Sequence, residues 1–170
     1  MLHWTGFQFC PRCGSREIVD HEQKALRCTR CDYRYYHNAA AAAAVILETP
    51  RGILLTRRRM DPHAGWLDLP GGFVDYEESF ESAVIREIQE ELHLNLAELR
   101  YFGSFPNRYL FGGTTYFTAD VVFVCKLDDL STLSYNEEIE EVLFFGKDRI
   151  PFDQVGFPSM RQALEAYSRS

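Results

Sequence analysis

Four of the five cysteines stand in two Cys-x-x-Cys pairs near the start of the chain. Cys10 and Cys13 form the first pair, Cys28 and Cys31 form the second, and fourteen residues separate the two pairs. Each pair presents two sulfurs from one tight turn, and this spacing is typical of a zinc site with four thiolate ligands. Four thiolates complete a tetrahedron and leave no position for water, so the expected zinc is structural. The metal would supply folding free energy that so short a segment lacks.

The cysteines also admit a redox interpretation, because a dithiol can use a Cys-x-x-Cys pair. Two such pairs in one short segment favour a metal over a dithiol. The fifth cysteine, Cys125, lies in the apolar run VVFVCKL and is expected to be a small buried hydrophobic side chain. The spacing does not resemble a disulfide framework.

Charge is distributed unevenly along this chain of 170 residues, which carries a formal net charge of −7. Residues 1–38 contain six Lys or Arg against four Asp or Glu, whereas residues 39–170 contain twelve against twenty-one. This balance excludes a protein built mainly to coat a polyanion, since phosphate contacts require clustered basic side chains. An anionic substrate would therefore need a cation beside it.

Membrane and export signals are missing from the sequence. The first residues have neither a basic leader nor the apolar stretch of a signal peptide. The longest apolar run, AAAAAAVIL, is less than half of the ~20 residues that a membrane-spanning helix needs. We therefore expect a cytoplasmic protein with no membrane partner.

Composition changes at Asn38, which predicts a small Cys-rich domain over residues 1–38 and a larger domain over residues 39–170. In the larger domain, the apolar pattern predicts strands at 39–47 and 52–59 joined as a hairpin, a short extended piece at 66–70 and a chain break at Gly71 and Gly72. A helix is predicted over 78–92, with Val84, Ile85, Ile88 and Leu92 on one apolar stripe. Further strands are predicted at 101–105, 114–126 and 142–145, and a closing helix at 158–167. The fold class is α/β, a sheet with helices packed on it.

Three carboxylates, those of Glu87, Glu90 and Glu91, share one face of the predicted helix. Like charges at this spacing repel each other, by about 0.2–0.5 kcal/mol per pair in an isolated helix. Their grouping therefore indicates a cation between them, and oxygen ligands suit Mg²⁺ or Mn²⁺. The plainer interpretation is a solvated acidic face.

The segment from Gly72 to Leu94 resembles the Nudix box, G-x5-E-x7-R-E-U-x-E-E-x-G-U, where U is an aliphatic residue. Gly72 and Glu78 open the pattern, Arg86 and the three glutamates follow, and His93 alone departs from it, standing where the family prefers glycine. Histidine tolerates the left-handed conformation that ends a helix better than most residues, and Asn95 is placed to share that cap.

The resemblance implies an α/β/α sandwich with a mixed sheet, here preceded by a small zinc-ribbon domain. It implies hydrolysis of a nucleoside diphosphate linked to another moiety. It also implies that Glu87, Glu90, Glu91 and the Gly71 carbonyl hold Mg²⁺ or Mn²⁺. Arg86 would orient these carboxylates, and Glu78 would support the loop or the outer shell of the metal.

A general base is implied in a late acidic loop, where Glu137, Glu138, Glu140 and Glu141 are candidates. The resemblance to zinc-ribbon Nudix enzymes favours Glu138, with Glu141 second; a solvated acidic loop is the alternative.

Further candidates would contact substrate. Arg57 and Arg59 share one strand face and are placed to meet phosphate, whereas Arg58 points the other way. Aromatic side chains could stack on a base or fill the core, namely those of Phe105, Tyr109, Phe111 and Tyr116.

A zinc ribbon before such a domain is similar to the NADH pyrophosphatase branch, some members of which act on NAD-capped RNA. That branch carries S-Q-P-W-P-F-P-x-S after the box, where this chain has GSFPNRY. We therefore expect a nucleotide pyrophosphohydrolase for which ADP-ribose or a dinucleotide such as NADH is favoured, NAD-capped RNA is less favoured, and a homodimer is one arrangement. The competing hypothesis is a nucleotide sensor that binds RNA through Arg12, Arg16, Lys24, Arg27, Arg30 and Arg34.

Overall fold

A computed structural model describes residues 8–22 and 25–170, except for the side chain of Tyr109. Lys24, one of the basic residues considered for RNA binding, lies outside the described residues. The chain divides into two compact units between Asn38 and Ala39. None of the described helices combines the length and apolar character that crossing a bilayer requires.

The first unit is a three-stranded antiparallel sheet in the order β1-β2-β3. Its strands are β1 (Ile18–His21), β2 (Ala25–Cys28) and β3 (Arg34–Tyr36). The two cysteine turns are built alike. The N–H of Gly14 donates to the Cys10 carbonyl at 2.9 Å, and the N–H of Asp32 donates to the Cys28 carbonyl at 3.0 Å. Both turns end on a residue with positive φ, which glycine adopts freely and Asp tolerates.

The second unit is a mixed sheet in the order β10-β5-β4-β9-β8, with two short strands attached. Its long strands are β4 (Ala40–Thr49), β5 (Gly52–Arg58), β8 (Arg100–Phe111), β9 (Thr114–Lys126) and β10 (Ile139–Phe145). The short strands β6 (Leu67–Asp68) and β7 (Gly71–Phe73) pair with β5 and β4. Pairing between β4 and β9 is parallel, and the other pairs are antiparallel.

Two helices, α1 (Phe80–Leu92) and α2 (Pro158–Ser168), pack on opposite faces of this sheet. Alternate residues of β4 supply the two cores, because strand side chains point to opposite faces. Ala44 and Ile46 pack with α2, whereas Val45 and Leu47 pack with α1. The predicted sandwich of helices around a mixed sheet is therefore confirmed.

Helix α1 begins at Ser79, whose side-chain oxygen accepts a hydrogen bond from the N–H of Ser82 at 3.1 Å. It ends at His93, which has the left-handed backbone φ of 55° expected there. The predicted apolar stripe is wrong at Ile85, which is 43% exposed. At 100° per residue, Ile85 lies just beyond one edge of the buried stripe. Ala83, at the other edge of the stripe, is buried against the sheet.

Three of the predictions at element boundaries differ most from the structure. Gly71 and Gly72 do not break the chain, because they form β7 against Ala43 and Ala44. Strand β8 continues past Phe105 through a proline to Phe111, which a position at the sheet edge allows. Strand β10 begins three residues earlier than predicted, at Ile139.

Candidate active site

The four paired cysteines of the first unit converge on one point. Their sulfurs all lie within 4.8 Å of one another, with 3.7 Å between Cys10 and Cys31 and 3.7 Å between Cys13 and Cys28. Tetrahedral zinc with Zn–S bonds of about 2.3 Å places its ligands about 3.8 Å apart. Both close contacts join one Cys-x-x-Cys pair to the other, and all four cysteines are free thiols. The donor set and its spacing therefore fit a zinc ion.

In the second unit, Arg86 joins the start of the box to its helix. Nε and Nη2 donate to the two carboxylate oxygens of Glu78 at 3.0 and 2.9 Å. Nη1 donates to Glu87 at 2.8 Å and to Glu90 at 3.2 Å, and Nη2 also donates to the Phe73 carbonyl at 3.1 Å. The rigid fork of the guanidinium thus fixes three carboxylates and the loop before the helix.

Two glycines bring the loop backbone against the helix carboxylates. A Cβ on Gly72 would collide with the Glu87 carboxylate, so only glycine leaves that side chain in place. The N–H of Gly71 donates to Glu91 Oε2 at 3.1 Å. Gly71 has a φ of 142°, and a Cβ there would strike the backbone of Ala43 and Ala44. The glycine pair therefore allows β7 and α1 to approach closely.

The carboxylates of this site are under electrostatic stress. Burial raises the pKa of Glu91 to about 8, and repulsion from Glu87, Asp68 and Glu138 adds to this effect while the Gly71 N–H partly offsets it. Burial also raises the pKa of Glu87, although Arg86 acts in the opposite direction. A positive charge bound here would be stabilised by the two carboxylates, and it would lower the pKa of both Glu87 and Glu91.

A small cavity of about 40 Å³ opens beside Glu91, and Glu138 lies on its wall. It shares Arg58, Asp68, Leu69 and Gly71 with a larger neighbouring cavity of about 180 Å³. The larger cavity is lined on one side by β4 and β7 and on another by β8, β9 and the start of α2. Together they connect a carboxylate-rich end to a mostly apolar chamber.

Glu138 and Glu141 of the acidic loop have different surroundings. The backbone of Glu138 is held on both sides, since its N–H donates to Asn136 Oδ1 at 2.9 Å and its carbonyl accepts from the Arg59 N–H at 2.9 Å. Glu138 lines the small cavity together with Glu91, and its charge adds to the raised pKa of Glu91. Glu141 instead forms an ion pair with Arg57, 3.2 Å from Nε to Oε2, and does not line either cavity.

Of the three consecutive arginines, Arg58 is the one that lines both cavities. Its Nη1 donates to Asp68 at 3.0 Å, and its guanidinium lies 5.0 Å from the Phe157 ring centroid. Arg57 and Arg59, the sequence candidates for phosphate contacts, are instead directed to Glu141 and to the Ile139 carbonyl. The sequence analysis predicted that Arg58 points away from the strand face shared by Arg57 and Arg59. It assigned phosphate contacts to the face of Arg57 and Arg59, whereas Arg58 is the residue that borders the cavities.

The three aromatic candidates whose side chains the structure describes, Phe105, Phe111 and Tyr116, do not line the larger cavity. Phe105 is half-buried and stacks on Phe102, with ring centroids 6.4 Å apart. The side chain of Tyr109 lies outside what the structure describes, and Phe111 and Tyr116 are exposed. The polar wall is formed instead by three side chains that the sequence analysis did not select, Asn107, Thr118 and Asp120. A lone acidic residue in the apolar strand TADVVFV could have signalled it.

The helix carboxylates are more widely spread than the cysteines. Within the described part of the chain, the cysteines are the only group of three or more candidate side chains whose donor atoms lie within 4.8 Å of one another. Glu90 is exposed and contacts Arg86, whereas Glu91 contacts Gly71. This arrangement fits Mg²⁺ or Mn²⁺, which uses one or two carboxylates together with waters and substrate oxygens.

Comparison with known proteins gives the family. The family model described as NUDIX domain matches residues 37–167, so the chain belongs to the NUDIX family. The NAD-capped RNA hydrolase NudC of Haemophilus influenzae is 30% identical over 143 residues, covering 79% of this chain and 54% of that protein. NudC of Mannheimia succiniciproducens is 34% identical over 117 residues, covering 62% of this chain and 43% of that protein. The chain thus spans about half the length of the curated relatives it matches.

A solved structure shows similarity over nearly the whole chain. The crystal structure of a NUDIX hydrolase from Nitrosomonas europaea superposes with a TM-score of 0.76 at 25% identity. The superposition covers 96% of this chain and 91% of that one. It therefore includes residues on both sides of the boundary at Asn38.

Proposed function

We propose that this protein is a Mg²⁺- or Mn²⁺-dependent hydrolase that cleaves the pyrophosphate bond of a nucleoside diphosphate linked to another moiety. ADP-ribose and dinucleotides such as NADH or NAD are the favoured substrates, and NAD-capped RNA, the substrate named for the NudC relatives, is a further candidate. The observation that carries the proposal is the small cavity shared by Glu91 and Glu138, which adjoins the larger chamber. It provides a carboxylate end for a metal and phosphates, and a chamber for the attached group.

The chain's own residues would divide the work of hydrolysis. Glu87 and Glu91, with Glu90 at the exposed edge, would hold the metal, and Arg86 would keep these carboxylates in position through its contacts with Glu78 and Glu87. When bound, the metal supplies charge neutralisation at the phosphates and makes the attacking water more acidic. Glu138 would accept the proton of that water, because its side chain borders the same cavity as Glu91. Arg58 would meet a phosphate where the two cavities join.

The zinc ion would have a different task from the catalytic metal. Four thiolates leave no open coordination position, so the zinc would hold the fold of the first unit and take no part in hydrolysis. Removal of zinc should therefore unfold that unit before it affects the carboxylates of the second.

A substrate panel tests the proposal. The zinc-loaded protein with Mg²⁺ should release AMP or another nucleoside monophosphate from at least one of ADP-ribose, NADH, NAD, diadenosine polyphosphates and NAD-capped RNA. Glu91→Gln should abolish turnover, because it removes a ligand charge while keeping the shape of the side chain. Glu81→Gln, the same change at an exposed position of the same helix, should retain it. Unchanged activity in Glu91→Gln would refute the ligand assignment.

The competing function, a nucleotide sensor that binds RNA through its first unit, predicts a different outcome. Arg12, Arg16, Arg30 and Arg34 are exposed there, whereas Arg27 forms an ion pair with Asp32. A protein that binds a panel member without hydrolysing any would support the sensor. Sedimentation in the same buffers would determine whether the protein is a homodimer.

A further inference from the structure

The larger cavity has a polar wall with unused hydrogen-bonding capacity. Asn107, Thr118 and Asp120 line it and are only 8%, 4% and 2% exposed. By strict geometry, one oxygen on each, Asn107 Oδ1, Thr118 Oγ1 and Asp120 Oδ1, is buried without a hydrogen bond among the described residues, and the closest approach is that of the Thr118 hydroxyl to the Asp120 carboxylate. Buried polar atoms are nearly always paired, and an unpaired one costs about 1–3 kcal/mol. Three of them in one cavity wall indicate a missing ligand.

Strand register explains why these three side chains meet. Asn107 of β8 pairs with Thr118 of β9, so the two are cross-strand neighbours on one face. Asp120 lies two residues further along β9 and therefore points to the same face. The Ser159 hydroxyl donates to Asp120 Oδ2 at 2.5 Å and fixes the carboxylate, whose Oδ1 has only the approaching Thr118 hydroxyl beside it.

Much of the remaining lining of the larger cavity is apolar. Ala42 and Ala44 contribute only methyl groups from β4, and Phe157 and Met160 cover the side toward α2. Apolar walls with a few convergent polar atoms are typical of sites that bind a planar organic group. The wall also joins the carboxylate end directly, because Asp68 and Gly71 belong to both cavities.

We propose that this wall recognises a planar nitrogen heterocycle that carries an amino group next to an acceptor atom. Asn107 Oδ1 and Asp120 Oδ1 would accept the two N–H bonds of the amino group, and the Thr118 hydroxyl would donate to the neighbouring ring nitrogen or carbonyl oxygen. This inference rests on the proposed function, since it assigns a part of the same substrate to the larger cavity.

Two parts of a dinucleotide substrate have this chemistry. Adenine presents its exocyclic amine beside a ring nitrogen, and nicotinamide presents its carboxamide N–H₂ beside a carbonyl oxygen. Deamino-NAD has hypoxanthine in place of adenine, so a carbonyl acceptor replaces the amine and a ring N–H donor replaces the ring nitrogen acceptor. Nicotinic acid adenine dinucleotide has a carboxylate in place of the nicotinamide amide.

The test compares kcat/KM for NAD, deamino-NAD and nicotinic acid adenine dinucleotide in the zinc-loaded protein with Mg²⁺. One of the two analogues should be disfavoured by about tenfold or more, because its mismatch leaves buried polar groups unpaired. The analogue with the lower kcat/KM identifies which ring, adenine or nicotinamide, contacts the polar wall. Equal values for all three compounds would overturn the inference and leave the proposed function standing.

A single substitution should shift the preference. In Asp120→Asn, the amide oxygen can retain the Ser159 hydrogen bond, and the amide N–H₂ then faces the cavity as a donor. The ratio of kcat/KM for NAD over the disfavoured analogue should fall by about tenfold. Asp153→Asn, the same change at an exposed position, should leave the ratio unchanged. An equal loss with all three compounds in Asp120→Asn would show a structural role and overturn the inference.

Thr118→Val gives a second, independent readout. It keeps the shape of the side chain and removes a buried hydroxyl that approaches only the Asp120 carboxylate among the described residues, so the free protein should melt close to the wild-type temperature. Binding of NAD, measured by calorimetry, should weaken by about fivefold or more. Unchanged binding would contradict the assignment of the hydroxyl.

Binding also separates this inference from the proposed function. If the protein hydrolyses neither these three compounds nor any member of the substrate panel, but binds NAD at least tenfold more tightly than one analogue, hydrolysis is refuted and the recognition wall is supported. If it hydrolyses another panel member but neither hydrolyses nor binds the three NAD compounds, the recognition wall is refuted and the proposed function stands.

Discussion

The carboxylate of Glu91 should make the stability of the metal-free protein depend on pH. Its pKa rises from 4.5 to about 8, with burial as the largest cause. At about 1.4 kcal/mol per pH unit, this interval corresponds to at most about 5 kcal/mol of unfolding free energy. An acid whose folded pKa is raised favours folding while it is protonated. That contribution is fully present below about pH 4 and is lost as the pH rises through 8.

Glu91→Gln removes this titration while keeping an acceptor for the Gly71 N–H. In buffer free of magnesium, with the zinc left in place, the variant should match the wild-type protein at pH 5. It should exceed the wild-type free energy of unfolding by about 2–5 kcal/mol at pH 9. Urea unfolding at several pH values measures this difference. Saturating Mg²⁺ should reduce the stability advantage of Glu91→Gln at pH 9, since only the wild-type site offers the metal a charged ligand at residue 91.

The matched control is Glu81→Gln, an exposed change on the same helix, for which a difference of about 0.5 kcal/mol or less is expected at every pH. A Glu91→Gln difference that stays constant between pH 5 and 9 would show that burial of this carboxylate carries no electrostatic cost. A cation at the site would then have no electrostatic cost to relieve.

Three further changes test other parts of the molecule. Cys28→Ser should remove the single zinc expected per chain in metal analysis and unfold the first unit; a chelator-free, reduced wild-type protein without zinc would contradict the ribbon assignment. Gly72→Ala should displace the Glu87 carboxylate, lowering kcat by about tenfold or more with little change in melting temperature, and a normal kcat would show that the close approach is not needed. Glu138→Gln should lower kcat by about 10²–10⁴-fold, whereas Glu141→Gln, which only loses its ion pair with Arg57, should stay within a few-fold of wild type; the reverse order would make Glu141 the base.

Local patterns in the sequence predicted the parts of the structure that short-range chemistry determines. The cysteine spacing predicted a cluster that the structure shows with all four sulfurs together. Helical periodicity predicted α1, and the tolerance of histidine for the left-handed region predicted its end at His93. Even the alanine run was correctly predicted as a strand, because its end in VIL and its short length outweighed the helix preference of alanine.

Long-range pairing determined what the sequence analysis missed. Alternation separates Arg58 from Arg57 and Arg59, but only the assembled sheet decides which face borders the cavities. The register of the β8–β9 hairpin brings Asn107 and Asp120 together, but the cavity that they line also needs β4, which lies beside β9 only in the assembled sheet. The recognition wall is therefore a property of the topology.

The alanines of β4 keep the larger chamber hollow. Each methyl group in place of a larger side chain gives up apolar burial of about 0.8 kcal/mol per missing CH₂, so the empty volume lowers the stability of the fold. In return, residues 42 and 44 line the larger chamber, whereas Glu91 and Glu138 line the small cavity. A change from Ala42 to valine would alter which rings fit while the hydrolytic end stays intact. Selectivity and reactivity can thus be engineered, or can diverge, separately.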